Sequence, residues 1–227
     1  MNSTKGIIDQ GYYIEASVIT HSDCDQIARA VDAISPNIKR AGVRNLMSYP
    51  AFREIANESR LLELASELHG SPMVPFKATL FSKTGKANWL VAWHQDTALP
   101  LERFEKRDGW GALSRKAGVV YAQAPAPTLA RILALRIHLD PSTENNGPLR
   151  VLSGSHRFGI LNSEQIGAIA CETDSVDCLV GKGGVIAMSP LLLHASSKSI
   201  SDEPRRVLHI EYAETRNLEP GIRLAIA

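Results

Sequence analysis

Residues 73–96 read MVPFKATLFSKTGKANWLVAWHQD, and the way this stretch is broken up decides the fold. Two short runs rich in Val, Leu, Phe and Trp, Val74–Lys83 and Trp89–Asp96, flank a Thr-Gly-Lys-Ala-Asn spacer, which is the pattern of consecutive strands joined by a turn. The same texture continues downstream in Arg131–Asp140, Leu149–Leu152, Gly184–Met188 and Arg206–Tyr212, between clusters of Pro, Gly and Asn. Successive short strands without long intervening helices predict a mainly β protein, an all-β barrel or a double-sheet jelly roll.

Upstream, the reading is helical. Ser22-Asp23-Cys24-Asp25 has the form of a capping box, followed at helical spacing by Ile27, Ala28, Val31 and Ile34. Leu61, Leu62, Leu64, Ala65 and Leu68 form a second apolar face, stopped by Gly70. A helical part over residues 1–72 is therefore expected to buttress a barrel over 73–215. Between them in character is Leu99–Leu129, with Pro, Gly, charges, Trp110 and Tyr121 but little periodicity. It reads as a lid-like loop, because loops this long in compact domains are usually functional or disordered.

Composition narrows the function. At 227 residues, 44% of them hydrophobic, one substantial core and one domain are expected. Lys plus Arg number 25 and Asp plus Glu 24, so a net charge of +1 gives no footprint for nucleic acid or an anionic membrane, and a small-molecule substrate is expected. Met1–Glu15 lacks a basic segment leading into an apolar run, and no stretch approaches the roughly 18 apolar residues of a membrane span. Cys24, Cys171 and Cys178 contain no Cys-x-x-Cys pair or disulfide pattern, which fits a reducing cytoplasm.

A metal centre that keeps positions open for reactants takes few protein ligands, typically two imidazoles and one carboxylate. In a strand, residues i and i+2 project to one side, so His-x-Asp can deliver two of them. The pattern occurs four times: His21/Asp23, His94/Asp96, His138/Asp140 and His209/Glu211. The first sits at a helix start, where capping explains it, and the last leaves too little chain to build the rest of a barrel. His138 and Asp140 are the stronger rival to His94 and Asp96, but fewer strands separate them from His194, the third ligand candidate. His194 follows the apolar run Gly183–Leu193, and Arg205 lies 11 residues on, at the start of the next strand. A hairpin return of that length brings a guanidinium, suited to bidentate grip of a carboxylate, back to the same cavity.

Trp93-His94-Gln95-Asp96, the segment Glu144–His156 (ENNGPLRVLSGSH), and His194 with Arg205 together resemble the phytanoyl-CoA dioxygenase family, over about Phe76 to Tyr212. The resemblance implies a double-stranded β-helix and an Fe(II)- and 2-oxoglutarate-dependent dioxygenase that consumes O2 and releases succinate and CO2. It implies His94, Asp96 and His194 as iron ligands and Arg205 as cosubstrate anchor, with Arg206 the alternative. Lys77, Thr79 and Arg136 fall where similar proteins touch 2-oxoglutarate, and His156 falls in a supporting turn. Trp93, Gln95, Thr97, Trp110, Tyr121 and His138 are substrate-contact candidates, core packing remaining open for the aromatics. Halogenating relatives replace the ligand carboxylate with a small residue, so Asp96 disfavours halogenation and favours hydroxylation, with desaturation, ring formation and epoxidation left open by the same resemblance. The competing readings are a cupin-like metal protein without 2-oxoglutarate turnover and a non-catalytic sensing module; a complete ligand set with Arg205 disfavours both.

Overall fold

A computed structural model describes residues 3–34, 42–83 and 88–227; residues 1–2 and 35–41 of the expected helical part lie outside it. In chain order the elements are α1 (Ser3–Gln10), β1 (Tyr12–Glu15), α2 (His21–Ile34), β2 (Gly42–Val43), α3 (Pro50–Ala56), α4 (Ser59–His69), β3 (Val74–Lys83), β4 (Val91–His94), β5 (Ala98–Leu101), β6 (Leu113–Lys116) and β7 (Val119–Gln123). They continue with α5 (Ala126–Leu129), β8 (Ile132–His138), β9 (Leu149–Val151), α6 (Ser163–Glu172), β10 (Val176–Cys178), β11 (Val185–Met188), β12 (His194–Ser196), β13 (Arg205–Ala213), β14 (Asn217–Glu219) and β15 (Ile222–Arg223).

An antiparallel six-stranded sheet, β1-β11-β8-β13-β3-β2, packs on a four-stranded sheet, β10-β9-β12-β4. This is the mainly β, double-stranded β-helix architecture expected, with helices against the outer face of the large sheet. Strand alternation sorts the side chains. Ala78, Leu80, Leu133, Leu135, Ile137, Leu208, Ile210 and Tyr212 point outward and meet Ile27, Val31, Phe52, Leu61, Ala65 and Leu68 of the helices in the largest core cluster. Full burial of each Leu or Ile there contributes about 1.5–3 kcal/mol. Leu61, Ala65 and Leu68 are the buried line of α4, and Gly70 at φ 86° ends it in the left-handed conformation that favours glycine. At the start of α2 the cap is Thr20, whose Oγ1 accepts from Asp23 N at 3.1 Å; the box expected at Ser22 lies inside the helix.

The opposite, inner face carries the odd-numbered residues of β3 and the alternate residues of β8 and β13. Cross-strand register sets them in rows: Lys83 beside Arg205; Phe81, Val207 and His138; Thr79, His209 and Arg136; Lys77 beside Glu211. Apolar residues of both sheets, among them Ala134, Val151, Ile186 and Met188, fill the space between the sheets.

Two parts differ from the sequence reading. Residues 1–72 are not purely helical, since β1 and β2 supply both edges of the large sheet. Residues 99–129 are a third antiparallel sheet, β5-β7-β6, followed by α5. Leu99, Leu101, Ala122, Ala124 and Leu129 bury against Leu218, Ile222 and Leu224 near the C-terminus, a long-range contact that supplies the order missing from local periodicity.

Candidate metal centre

His94 closes β4 and His194 opens β12, and the two are directly opposed in the antiparallel pairing. Their rings lie 4.1 Å apart between centroids. Asp96 stands two residues past the end of β4, its N–H donating to the Pro190 carbonyl at 2.9 Å. Its Oδ1 is 3.8 Å from His94 Nε2 and its Oδ2 3.5 Å from His194 Nε2. One ligand atom from each residue lies within 4.8 Å of the others, and no other group of three His, Cys, Asp or Glu converges in this way among the described residues.

Each imidazole is oriented through its other nitrogen. His94 Nδ1 is 2.9 Å from the Ala92 carbonyl and His194 Nδ1 2.9 Å from that of Leu192, so Nδ1 carries the proton and the Nε2 lone pair faces the triad. Burial pulls the His194 pKa down to about 4 against the opposing charge of Asp96, which keeps the ring neutral, the form that binds metals. Burial alone would raise the Asp96 pKa, but His194, His209, His94 and Lys77 outweigh it and hold the carboxyl below its usual range. The His94 and Asp96 side chains are 38% exposed and that of His194 only 5%, so the triad is open on one side. Two imidazoles, one carboxylate and an open face suit non-haem Fe(II).

Beside the triad is a cavity of about 80 Å³ whose wall includes Phe81, Lys83, Trp89, Arg136, Ser196 and Arg205. Three of these are cations and Asp96 is the wall's single carboxylate. Lys83 and Arg205 face each other across β3 and β13, a like-charge pair that is unfavourable unless something negative lies between them. Lys83 donates to Ser196 Oγ at 2.5 Å and to the Ser197 carbonyl. Arg205 Nε donates to the Asn146 carbonyl at 3.2 Å. Arg205 Nη1 and Arg136 Nε are buried with no partner among the described residues. Burial, then the neighbouring guanidinium groups, lowers the Lys83 pKa to about 8, and burial and Arg136 lower that of Arg205 to about 9. Unsatisfied buried donors around excess positive charge are the signature of an anion site. A small dicarboxylate reaching toward the metal fits this donor set.

Arg136 is held from behind. Its Nη1 donates to His209 Nδ1 at 3.2 Å, and since guanidinium cannot accept, His209 presents Nε2–H to Glu211 Oε1 at 3.2 Å. Lys77 Nζ completes the chain at 2.6 Å from the same Glu211 oxygen. Thus His209-Ile-Glu211, set aside above as a metal pair, braces the anion cavity.

The other expected residues divide clearly. Arg206 forms a bidentate pair with Asp140, Nε and Nη2 both at 2.8 Å, and does not line the cavity. Lys77 and Thr79 share the inner face but not the cavity wall. Gln95 donates to the Gly159 and Leu191 carbonyls at 2.8 and 2.7 Å and accepts from Leu161 N at 2.9 Å, so it staples the backbone around Asp96 with both amide hydrogens committed. Trp93 alternates away from His94 and lies under Arg150, 5.5 Å from its ring. Trp110 packs on Phe104 and donates to Glu219 at 3.3 Å, in the cluster beneath the third sheet. His138 is fully buried beyond the cavity wall, both ring nitrogens without a partner among the described residues, and its pKa is pushed to about 3 by burial and the two guanidinium groups. The Thr97 carbonyl accepts from Ala124 N at 2.9 Å and ties the third sheet to the metal loop. His156 Nε2 meets the Ile8 carbonyl at 3.2 Å, a brace on α1. Lys83 and Ser196 were missed; Lys83 ends a run that reads only as strand, and nothing local marks it as buried.

Facial two-histidine, one-carboxylate centres seated in this fold form a class of metal-dependent proteins. Within that class the chain belongs to the family described as Phytanoyl-CoA dioxygenase (PhyH), whose pattern matches residues 8–207. It is 27% identical over 183 residues to L-proline trans-4-hydroxylase of Streptomyces griseoviridis, covering 69% of this chain and 60% of that protein's length. Among solved structures, AviO1 from Streptomyces viridochromogenes Tue57 superposes with a TM-score of 0.71 at 19% identity, covering 98% of this chain and 96% of AviO1. EctD from S. alaskensis, solved with 2-oxoglutarate and 5-hydroxyectoine, gives 0.70 at 21% identity, covering 92% and 74%. At these identities the structural likenesses establish the fold. No helix among the described residues is long and apolar enough to cross a membrane.

Proposed function

We propose that this protein is an Fe(II)- and 2-oxoglutarate-dependent dioxygenase that hydroxylates a small molecule. The observation that carries the reading is the conjunction of an open His94-Asp96-His194 triad with an adjoining cavity whose buried cations have donors to spare. Family membership, the hydroxylase relative and the neighbour solved with 2-oxoglutarate support it.

Iron, when bound, supplies the coupling of 2-oxoglutarate decarboxylation by O2, giving succinate and CO2, to insertion of the second oxygen atom into a C–H bond. The chain's part is positioning and exclusion of water. His94, Asp96 and His194 hold the metal, their orientations fixed by Ala92, Leu192 and the Pro190 carbonyl. Arg205 and Lys83 receive the far carboxylate of 2-oxoglutarate, with Ser196 Oγ between them, and Arg136 faces its path to the metal. Asp96 fills the carboxylate position, which favours hydroxylation over halogenation. A cupin-like protein without 2-oxoglutarate would leave the opposed Lys83 and Arg205 without a counter-ion. Buried Cys24 and Cys178 and exposed Cys171, all free thiols, support a reducing, cytoplasmic setting.

The test is succinate formation from 2-oxoglutarate by anaerobically reconstituted Fe(II) protein on exposure to air. Formation that disappears in His94→Ala supports the reading; absence of both turnover and 2-oxoglutarate binding in the parent protein refutes it.

A further inference from the structure

Three consecutive carbonyls serve the segment that carries the metal ligands. The Pro190 carbonyl accepts from Asp96 N at 2.9 Å, that of Leu191 from Gln95 Nε2 at 2.7 Å, and that of Leu192 from His194 Nδ1 at 2.9 Å. His94 differs, because its Nδ1 bonds to Ala92 in its own strand. Two of the three ligands therefore take their orientation from one loop, residues 189–193. Where that loop sits decides where the Asp96 carboxylate and His194 Nε2 meet.

The loop is held from outside. Within it, Leu192 N donates to the Ser189 carbonyl at 3.1 Å and Leu191 N to Ser189 Oγ at 3.3 Å, which closes a turn but does not fix its direction. Its two ends are tied by residues far away in the sequence. Ser189 N donates to the Gly11 carbonyl at 2.9 Å, and Leu193 N donates to Ser155 Oγ at 2.9 Å in a buried bond. These two anchors are also bound to each other, across the end of α1. Gly154 N donates to the Gln10 carbonyl at 2.8 Å, Arg157 Nη2 to that of Asp9 at 2.6 Å, and His156 Nε2 to that of Ile8 at 3.2 Å. The other edge of the His156 ring lies against Gly11. A Cβ at position 11 would stand 2.5 Å from His156 Nδ1 and 2.9 Å from Leu192 Cδ1, and φ there is 81°. Glycine alone lets the chain turn from α1 into β1 while the imidazole and Leu192 close over it. Leu192 is fully buried and Ser155 only 2% exposed, so a misfit at this corner passes into the loop.

We propose that α1 and the 154–157 turn form a latch on the metal centre, in which Gly11 and Ser155, seated by His156, are positioning residues for Asp96 and His194. They touch neither metal nor substrate; they act through the three carbonyls of the loop. The proposal rests on the iron-site reading, since it assigns the latch to the His94-Asp96-His194 triad. Coupling of this kind is reciprocal: if a closed latch tightens metal binding, bound metal holds the latch closed by the same factor. Groups bonded directly to metal ligands carry about 10- to 100-fold in metal affinity, and groups one bond further out should carry about fivefold.

The experiment measures Fe(II) affinity anaerobically, by chelator competition, in the parent, Ser155→Ala, Gly11→Ala and Phe52→Leu. Phe52, fully buried on α3 in the cluster at the outer face of the large sheet, reports a plain loss of stability. Ser155→Ala and Gly11→Ala are each expected to weaken Fe(II) binding by about fivefold or more and to alter the visible spectrum of the Co(II)-loaded protein, which reports ligand geometry. Phe52→Leu should change neither. In the parent, saturating Fe(II) should slow hydrogen exchange over residues 7–12 and 188–194 by about fivefold or more, with the β14–β15 hairpin unchanged; this readout stands even where a variant fails to fold. Metal affinities of Ser155→Ala and Gly11→Ala within twofold of the parent, changes matched by Phe52→Leu, or exchange at residues 7–12 indifferent to metal overturn the proposal. A parent protein that takes up no Fe(II) sinks the iron-site reading itself, whereas a parent that binds Fe(II) with an indifferent latch sinks the latch alone.

Discussion

Replacing Arg205 by Met should abolish cosubstrate binding without destabilising the ligand-free fold, an unusual pairing for a residue only 4% exposed. Arg205 faces Lys83 across the strand pair, with Arg136 also near, and burial with Arg136 lowers its pKa from 12.5 to about 9. At about 1.4 kcal/mol per unit, the cation is disfavoured by roughly 4–5 kcal/mol before any anion arrives. Methionine, of similar length and uncharged, removes that repulsion and forfeits the bond to the Asn146 carbonyl, about 1.5–3 kcal/mol for a charged donor. The ligand-free variant should therefore equal the parent in stability or exceed it by about 1–3 kcal/mol. Binding behaves oppositely: loss of two charge-assisted bonds to the distal carboxylate removes about 3–6 kcal/mol, a hundredfold or more in Kd. Thermal unfolding with and without 2-oxoglutarate, using anaerobic Fe(II) protein, reads both effects. At 100-fold excess over Kd the parent should gain about 2.7 kcal/mol from the ligand and the variant almost none. A ligand-free variant weakened by more than about 2 kcal/mol, together with a Kd changed less than about fivefold, would refute the anion-cavity account.

The pH dependence should centre on Lys83. Its folded pKa of about 8 lies below the 10.5 of the free side chain, so the unfolded chain holds the proton more tightly. Ligand-free stability should rise between about pH 8 and 10.5 while 2-oxoglutarate affinity falls as the ammonium is lost, and Lys83→Met should flatten both profiles in calorimetry and denaturant melts. Arg206→Ala breaks the bidentate pair with Asp140 and should lower stability by about 1–3 kcal/mol with 2-oxoglutarate Kd unchanged; a lost Kd would transfer the anchor from Arg205 to Arg206. Gln95→Ala removes three hydrogen bonds around Asp96 and should cost about 2–4 kcal/mol of stability, with Fe(II) affinity reduced through a loosened carboxylate. Metal titration separates this from a direct substrate role, which would leave Fe(II) affinity intact.

The sequence alone determined what short-range periodicity and motif order encode. Short apolar runs in Val74–Lys83, Arg131–Asp140 and Arg206–Tyr212, bounded by Pro, Gly and Asn, marked the strands, the i, i+4, i+7 line of Leu61, Ala65 and Leu68 marked a helix face, and Gly70 marked its end. His94 and Asp96 were offered by local His-x-Asp spacing, one of four such pairs, and His194 joined them only through strand order and the family resemblance. Tertiary structure decided the rest, because it depends on register between distant strands. Which of Arg205 and Arg206 enters the cavity is a one-residue question of parity, fixed by the β3–β13 pairing that turns Arg205 inward beside Lys83 and leaves Arg206 to Asp140. The same pairing, with β8, converts His209 and Glu211 from an apparent metal pair into a brace for Arg136. Order in residues 99–129 comes from burial against Leu218, Ile222 and Leu224, about a hundred positions away, so no local pattern announces it. Lys83 and Lys116 are ordinary strand-end lysines in the sequence; only the fold turns one into a buried cation facing another and sets the second over the Tyr121 ring, since electrostatic environment is a property of neighbours in space.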